Sequence, residues 1–219
     1  MVDGGAGRFL IDLNPSDLDS EGGIAVGAQT MRAETSGAYT GEISPLMLRG
    51  LATHVILGQS ERRQYDNETD AAVAAKVRSA VDHGLVPIAA IGELAEERRA
   101  GQTEAVLDRQ LGAAISQLDR LEGSGLVIAY EPVWAIGTGE VATPDDAQEV
   151  CAAIRGKVAE AFSEDAAAKI RILYGGSVKA ANVAGIMEKA DVDGCLVGGA
   201  SLQADEFGGI CRFYDMPVI

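Results

Sequence analysis

Short apolar runs rich in valine and isoleucine alternate with longer stretches of helical period along most of the chain. Their continuous hydrophobic character is typical of strands buried on both faces. The predicted strands are FLIDL (9–13), IAVGA (24–28), HVILG (54–58), VPIAAIG (86–92), LVIAY (126–130), IRILY (170–174) and DGCLVGG (193–199). This alternation predicts right-handed βαβ units that form one parallel sheet.

The helical stretches between these strands carry start and stop signals. Asn67 is a possible N-cap for the stretch NETDAAVAAKVRSAVDHG, and Gly84 is placed to end that helix. Thr143 is expected to cap a later helix, with Pro144 at the first helical position and Asp146 in the first turn.

Two architectures fit this periodicity, a β/α barrel and a doubly wound open sheet. Polar residues and glycines follow the carboxyl ends of several predicted strands, at Gln59–Arg62, Glu93, Glu131, Gly175–Ser177 and Gly198–Gly199. In a barrel those ends share one rim, where active sites gather. The positions therefore favour a barrel. The sequence shows no linker-like or low-complexity stretch, which favours one domain that spans residues 1–219.

Charge and cysteine content argue against several kinds of partner. The chain has 33 acidic and 18 basic residues, a formal charge of −15, and such a surface repels nucleic acid and anionic membranes. Cys151, Cys195 and Cys211 form no CxxC pair, which indicates a reducing compartment. No apolar run approaches membrane-spanning length and the start lacks the basic segment of a signal peptide, so a cytoplasmic protein is expected.

Three glycine-rich segments fall on the predicted rim: AIGTG (135–139), YGGS (174–177) and VGGAS (197–201). Glycine lets backbone N–H groups approach an anion closely, and barrels commonly bind phosphate after their last two strands. Any one of these segments could simply be a tight turn. Three of them on one rim favour a site for a small phosphorylated ligand.

Glu131 is the best candidate for a catalytic base. It ends the apolar run LVIAYE and precedes Pro132, which stiffens the chain where the loop departs. A carboxylate at the dry mouth of a barrel can abstract a proton from carbon. The alternative is a structural carboxylate paired with an arginine, which we also expect for Glu61, Arg62 and Glu93.

Five motifs together resemble the triosephosphate isomerase family, in the family's order and over roughly residues 24–213. They are GAYTGEIS (37–44), ILGQSERR (56–63), AYEPVWAIGTG (129–139), YGGSV (174–178) and DGCLVGGASL (193–202). The resemblance implies a (β/α)8-type barrel, a homodimer, no cofactor or metal, and interconversion of dihydroxyacetone phosphate with glyceraldehyde 3-phosphate.

The resemblance also implies roles for individual residues. Glu131 matches the family's proton-abstracting base. The stretch from Pro132 to Ala142 matches a mobile lid, whose members include Pro132, Val133, Trp134, Ala135, Ile136, Thr138 and Gly139. The substrate phosphate is expected at Gly137, Ser177, Gly198 and Gly199. The dimer interface is expected at Thr40, Glu42 and Arg62, the last two as partners across it.

Two departures from the family pattern bear on activity. Where the family motif G-H-S-E-R-R has a neutral histidine that works with the glutamate base, this chain has Gln59. An amide donates a hydrogen bond but cannot relay a proton.

The second departure concerns the N-terminal segment. Family members begin with a strand that ends in an N-x-K-x-N-like motif, but residues 1–23 are divergent and short, and the first lysine is Lys76. FLIDL resembles the family's second strand, so the barrel is expected to lack its first β/α unit and to keep seven recognisable strands. Weak or lost isomerase activity is therefore expected. The alternative is a non-catalytic protein that binds a phospho-ligand or serves as a scaffold.

Overall fold

The computed structural model describes residues 25–136 and 142–216. Within them, parallel strands form one curled sheet in which strand order follows chain order. The strands are β1 (Gly27–Ala28), β2 (His54–Leu57), β3 (Val86–Ile91), β4 (Val127–Tyr130), β5 (Arg171–Tyr174) and β6 (Gly194–Cys195). A doubly wound sheet would reverse its strand order at a switch point, so the prediction of a barrel-type fold is confirmed. The predicted strand at 9–13 lies outside the described residues.

Helices follow the strands, as the alternation predicts. They are α1 (Pro45–Leu48), α2 (Ser60–Tyr65), α3 (Asp70–Asp82), α4 (Ala95–Arg99), α5 (Thr103–Ile115), α6 (Pro144–Ala161), α7 (Glu164–Lys169), α8 (Val183–Met187) and α9 (Ala204–Cys211). Short 3-10 turns occur at Val133–Ala135, Gly199–Leu202 and Phe213–Asp215. None of the helices within the described ranges is long and apolar enough to cross a membrane.

The start of α3 differs from the sequence-based prediction. Thr69, and not Asn67, is the N-cap: its side-chain oxygen accepts from the N–H of Ala72 at 3.2 Å. Asn67 has a φ of 52°, in the left-handed region that asparagine tolerates better than most residues, so it shapes the preceding turn. Gly84, at a φ of +74°, ends the helix as predicted.

The start of α6 is as predicted. The Thr143 hydroxyl accepts from the N–H of Asp146 at 3.1 Å, and the Asp146 carboxylate accepts from the N–H of Thr143 at 2.9 Å. Pro144 occupies the first helical position. This reciprocal pair fixes the residues immediately after the segment 137–141.

The core divides between the two faces of the sheet because successive strand side chains point in opposite directions. One face carries a small cluster of buried residues: Ile56, Ile88, Val127, Ala129, Leu173 and Leu196. Alternate strand residues such as Val55, Leu57 and Ile128 belong to the larger core packed with the helices. Burial on both faces explains why the strands read as unbroken apolar runs.

Candidate active site

Glu131 follows β4 directly and is 3% exposed. Its N–H donates to the carbonyl of Ile91 at 2.7 Å, so the backbone of Glu131 continues the ladder between β3 and β4. Its carboxylate oxygen Oε2 accepts from the backbone N–H of Ser60 at 3.1 Å. The candidate base is thus buried at the carboxyl end of the sheet and held by the first residue of α2.

Two glycines let neighbouring strands approach Glu131 closely. A Cβ on Gly92 would lie 1.7 Å from the Glu131 carbonyl oxygen, and a Cβ on Gly175 would lie 2.9 Å from Glu131 Cγ. Real Cβ atoms do not make such contacts, so both positions require glycine for this packing. Sequence reasoning placed Gly175 on the rim but missed Gly92, whose signal is its position at the end of a predicted strand.

Glu131, Ser177, Gly198 and Gly199 line one pocket of about 260 Å³. A Cβ on Gly198 or Gly199 would meet no heavy atom within 4 Å, so open space lies beside this part of the backbone. The pocket therefore brings the candidate base and three of the four residues expected at the substrate phosphate onto one surface. The fourth, Gly137, lies outside the described residues, as do Thr138 and Gly139 of the expected lid.

Lys179 also lines this pocket, and sequence reasoning missed it. The available signal was its position directly after the YGGSV motif. The side chain is exposed, and among the described residues no carboxylate lies within ion-pair distance of its ammonium group. It brings positive charge to a pocket whose other ionisable lining residues are Glu61 and Glu131.

Gln59 lies next to the base but is not among the residues that line the pocket. Its side chain is buried, and its Nε2 donates to the backbone carbonyl of Gln29 at 2.7 Å. The link from Gln59 to Glu131 runs through the N–H of Ser60, the next residue. At least one of the two amide N–H groups is thus engaged by the protein itself.

The start of the expected lid is anchored by a fully buried carboxylate. Oε1 of Glu93 accepts from Trp134 Nε1 at 3.0 Å and from the Tyr130 hydroxyl at 3.1 Å. Arg98 Nη1 lies 3.3 Å from the same oxygen, so the expected pairing of Glu93 with an arginine is confirmed. Burial raises the pKa of Tyr130, and the negative charge of Glu93 raises it further. The tyrosine therefore stays a hydrogen-bond donor.

Arg98 connects the two sides of the segment 137–141. Its guanidinium lies 4.3 Å from the centroid of the Trp134 ring, and its Nη2 donates to Asp146 at 2.6 Å. Trp134 precedes the segment, and Asp146 caps the helix that follows it. One cation thereby contacts residues on both sides of the segment 137–141.

The residues expected at a dimer interface lie together on the surface. Thr40 is exposed, and Arg62 Nη2 lies 3.7 Å from Glu42 Oε1 within one chain. Apolar side chains around them are also exposed, at 38% for Tyr39 and 57% for Met47. The interface, and contact between Glu42 and Arg62 across it, stay predictions.

Comparison with known proteins agrees with the motifs. A profile of the family described as triosephosphate isomerase matches residues 10–214. The triosephosphate isomerase of Streptomyces avermitilis is 55% identical over 193 residues, which cover 88% of this chain and 75% of the relative. The triosephosphate isomerase of Citrifermentans bemidjiense is 53% identical over 87% of this chain and 76% of the relative. That of Clostridium botulinum strain Loch Maree is 52% identical over 87% of this chain and 77% of the relative.

Proposed function

The chain belongs to the triosephosphate isomerase family. We propose that it slowly interconverts dihydroxyacetone phosphate and glyceraldehyde 3-phosphate, with Glu131 as the base. In this reaction the carboxylate takes a proton from the carbon next to the carbonyl, which leaves an enediolate. Transfer of the hydroxyl proton to the other oxygen and return of the abstracted proton to the neighbouring carbon complete the isomerisation. No atom is gained or lost, so no cofactor is required.

The observation that carries this proposal is the shared pocket. Glu131 lines it together with the Ser177 and Gly198–Gly199 turns. A phosphate bound at these turns would hold the short carbon chain of a triose beside the carboxylate, and such positioning lowers the barrier to proton abstraction. Burial of Glu131 excludes water from its surroundings, which favours proton abstraction from carbon over exchange with solvent.

The expected rate is low because stabilisation of the enediolate oxygens is incomplete. Removal of one well-placed donor from such a site typically lowers the rate by a factor of about 100 to 1000. At the histidine position of the family, Gln59 already donates to the Gln29 carbonyl. An amide also cannot move a proton between the two oxygens of the intermediate.

A second candidate function is binding of a phosphorylated ligand without turnover. The same contact favours it, because an N–H of the Gln59 amide that donates to the Gln29 carbonyl is not available to substrate. The Ser177 and Gly198–Gly199 turns line the pocket whether or not chemistry follows, so binding and turnover can be measured separately.

The deciding experiment compares the isomerase rate of the wild-type chain with that of Glu131→Gln, with inorganic phosphate binding measured by calorimetry for both. A wild-type rate clearly above that of the variant, with equal phosphate binding, supports slow isomerisation. Equal rates with retained phosphate binding support binding without turnover. Loss of phosphate binding in both proteins contradicts both candidates.

We also propose a homodimer in the cytoplasm. The exposed apolar residues beside Thr40 support the dimer, because solvent-exposed clusters of this kind commonly mark interfaces. Three free cysteines support a reducing compartment. Light scattering across a dilution series tests the dimer, and a constant monomer mass would contradict it.

A further inference from the structure

Gln110 is a buried glutamine of α5 whose side chain reaches the end of β3. Its Oε1 accepts from the N–H of Gly92 at 2.8 Å, and its Nε2 donates to the carbonyl of Gly92 at 3.3 Å. The residue is 5% exposed. One side-chain amide therefore satisfies both backbone polar groups of a residue that has just left its strand, as burial requires.

Gly92 in turn lies against the backbone of the base. The position of a Cβ on Gly92 would be 1.7 Å from the carbonyl oxygen of Glu131 and 2.6 Å from its carbonyl carbon. The residue before Gly92 accepts the Glu131 N–H at 2.7 Å. Any displacement of Gly92 must therefore shift the main chain of Glu131 or open the space between them.

We propose that Gln110 is a positioning residue for Glu131. Gln110 fixes the backbone of Gly92, and Gly92 fixes the main chain from which the Glu131 carboxylate reaches the N–H of Ser60. Gln110 is not among the residues that line the pocket, and its side-chain amide bonds to Gly92, so its effect passes through Gly92. The catalytic consequence rests on the proposed role of Glu131 as base, whereas the geometric consequence does not.

The chain contains a matched control, Gln148 on α6. Its Nε2 donates to Asp191 Oδ2 at 2.6 Å, and its Oε1 accepts from the N–H of Asp191 at 3.1 Å. Asp191 precedes β6 and pairs with Arg155 at 2.7 Å, so this contact lies at the opposite end of the strand from the pocket. Gln148→Met, like Gln110→Met, removes one hydrogen bond from a backbone N–H and one donated by the side-chain amide, here to a carboxylate and away from Glu131.

The experiment measures the Ser60 amide by nitrogen-15 NMR and hydrogen exchange, together with kcat and KM, for the wild-type chain and both methionine variants. Loss of a hydrogen bond to a charged acceptor should speed Ser60 exchange about tenfold in Gln110→Met. We expect kcat to fall about 10- to 100-fold, with KM changed less than about twofold. Gln148→Met should leave both the Ser60 amide and kcat unchanged.

A Ser60 amide in Gln110→Met that matches the one in Gln148→Met would overturn the proposal, even if both variants lose thermal stability. If the wild-type rate equals that of Glu131→Gln, the proposed isomerisation fails but the NMR result still decides the role of Gln110. Should Gln110→Met not fold, Gln110→Asn withdraws the same amide from Gly92 by one methylene and adds no charge to this buried position. A smaller change in Ser60 exchange is then expected, and no change would contradict the proposal.

Discussion

The backbone N–H of Ser60 donates to the carboxylate of Glu131 at 3.1 Å, although 71 residues separate the two in sequence. Ser60 opens the helix after β2, and Glu131 directly follows β4, so the contact depends on β3 holding those two strands in register. The register aligns Ile56 with Ile88 and Ile88 with Val127. The orientation of the candidate base is therefore a property of three neighbouring strands.

Ser60→Pro should weaken this contact without breaking α2. Ser60 is the first residue of the helix, where proline is well tolerated, and Gln59 has the extended conformation (φ −54°, ψ 150°) that proline requires before it. The variant lacks the N–H that donates a hydrogen bond to the Glu131 carboxylate, so kcat should fall about tenfold or more. Ser60→Ala, which keeps the N–H, is the control. Equal kcat in the two variants would show that the contact does not help catalysis.

Gln59→His should recover little isomerase activity. A histidine restores a group that can both donate and relay a proton, but position 59 is buried outside the pocket lining, with its side chain directed at the Gln29 carbonyl. We expect kcat to rise less than about tenfold, while acid–base groups in complete sites contribute about 100-fold or more. Steady-state kinetics against wild type and Gln59→Met measure this. A rise near 1000-fold would mean that the glutamine alone limits the enzyme.

Lys179→Met should weaken binding of inorganic phosphate. The ammonium group is the positive charge among the pocket-lining residues, so its removal should raise Kd about twofold to fivefold at low salt. The difference should shrink as salt screens the exposed charge. Lys189→Met is a suitable control because Lys189 pairs with Asp145 outside the pocket. Calorimetry that gives the same Kd for both variants would exclude a role for Lys179.

Asp146→Asn should destabilise the protein at neutral pH but not at low pH. The hydrogen bond from the Thr143 hydroxyl lowers the pKa of Asp146, and the charge of Arg98 lowers it further. A carboxyl group with a lowered pKa contributes stability above its unfolded pKa of about 3.9, and this contribution is lost as pH falls through the folded pKa. We expect a loss of about 1 kcal/mol at pH 7 that begins to shrink near pH 4 and disappears as the pH falls below the folded pKa.

Denaturant unfolding of wild type and Asp146→Asn across this pH range measures the effect. Asp145→Asn is the matched control, because Asp145 is adjacent, largely exposed and paired with the partly exposed Lys189. If both variants lose the same stability at every pH, the connection from Arg98 to the helix cap contributes nothing specific.

The sequence predicts the general architecture because strand–helix alternation and cap residues are local signals. The middle strands lie where the apolar runs place them. The outer ones are shorter: IAVGA forms a strand only at Gly27–Ala28, and DGCLVGG only at Gly194–Cys195. Among the described residues each of these strands has one neighbour, so fewer ladder bonds define its length. Asn67 and Thr69 are both good caps, and local signals could not rank them.

The candidate site was predictable where residues follow strand ends, as Glu131, Ser177 and Gly198–Gly199 do. Contacts between distant side chains were not, because no spacing in the sequence indicates that Arg98 meets Asp146. The role of Gln110 does have a sequence signal. The residue lies on the buried face of α5, next to Leu107 and Leu111, where an apolar residue is expected. A glutamine at such a position indicates a backbone group that needs a partner.

Because each strand pairs with the next one in the chain, the sheet can be assembled in the direction of synthesis. β2 can dock on β1 as soon as the residues up to Leu57 are available, and every later strand finds its neighbour already made. Such pairing keeps the sequence separation of contacts shorter than a switched strand order would. The candidate site forms later. Ser60 can bond to Glu131, and Glu131 can pack on Gly175, only after those later residues have been synthesised, so the pocket forms when most of the chain has left the ribosome.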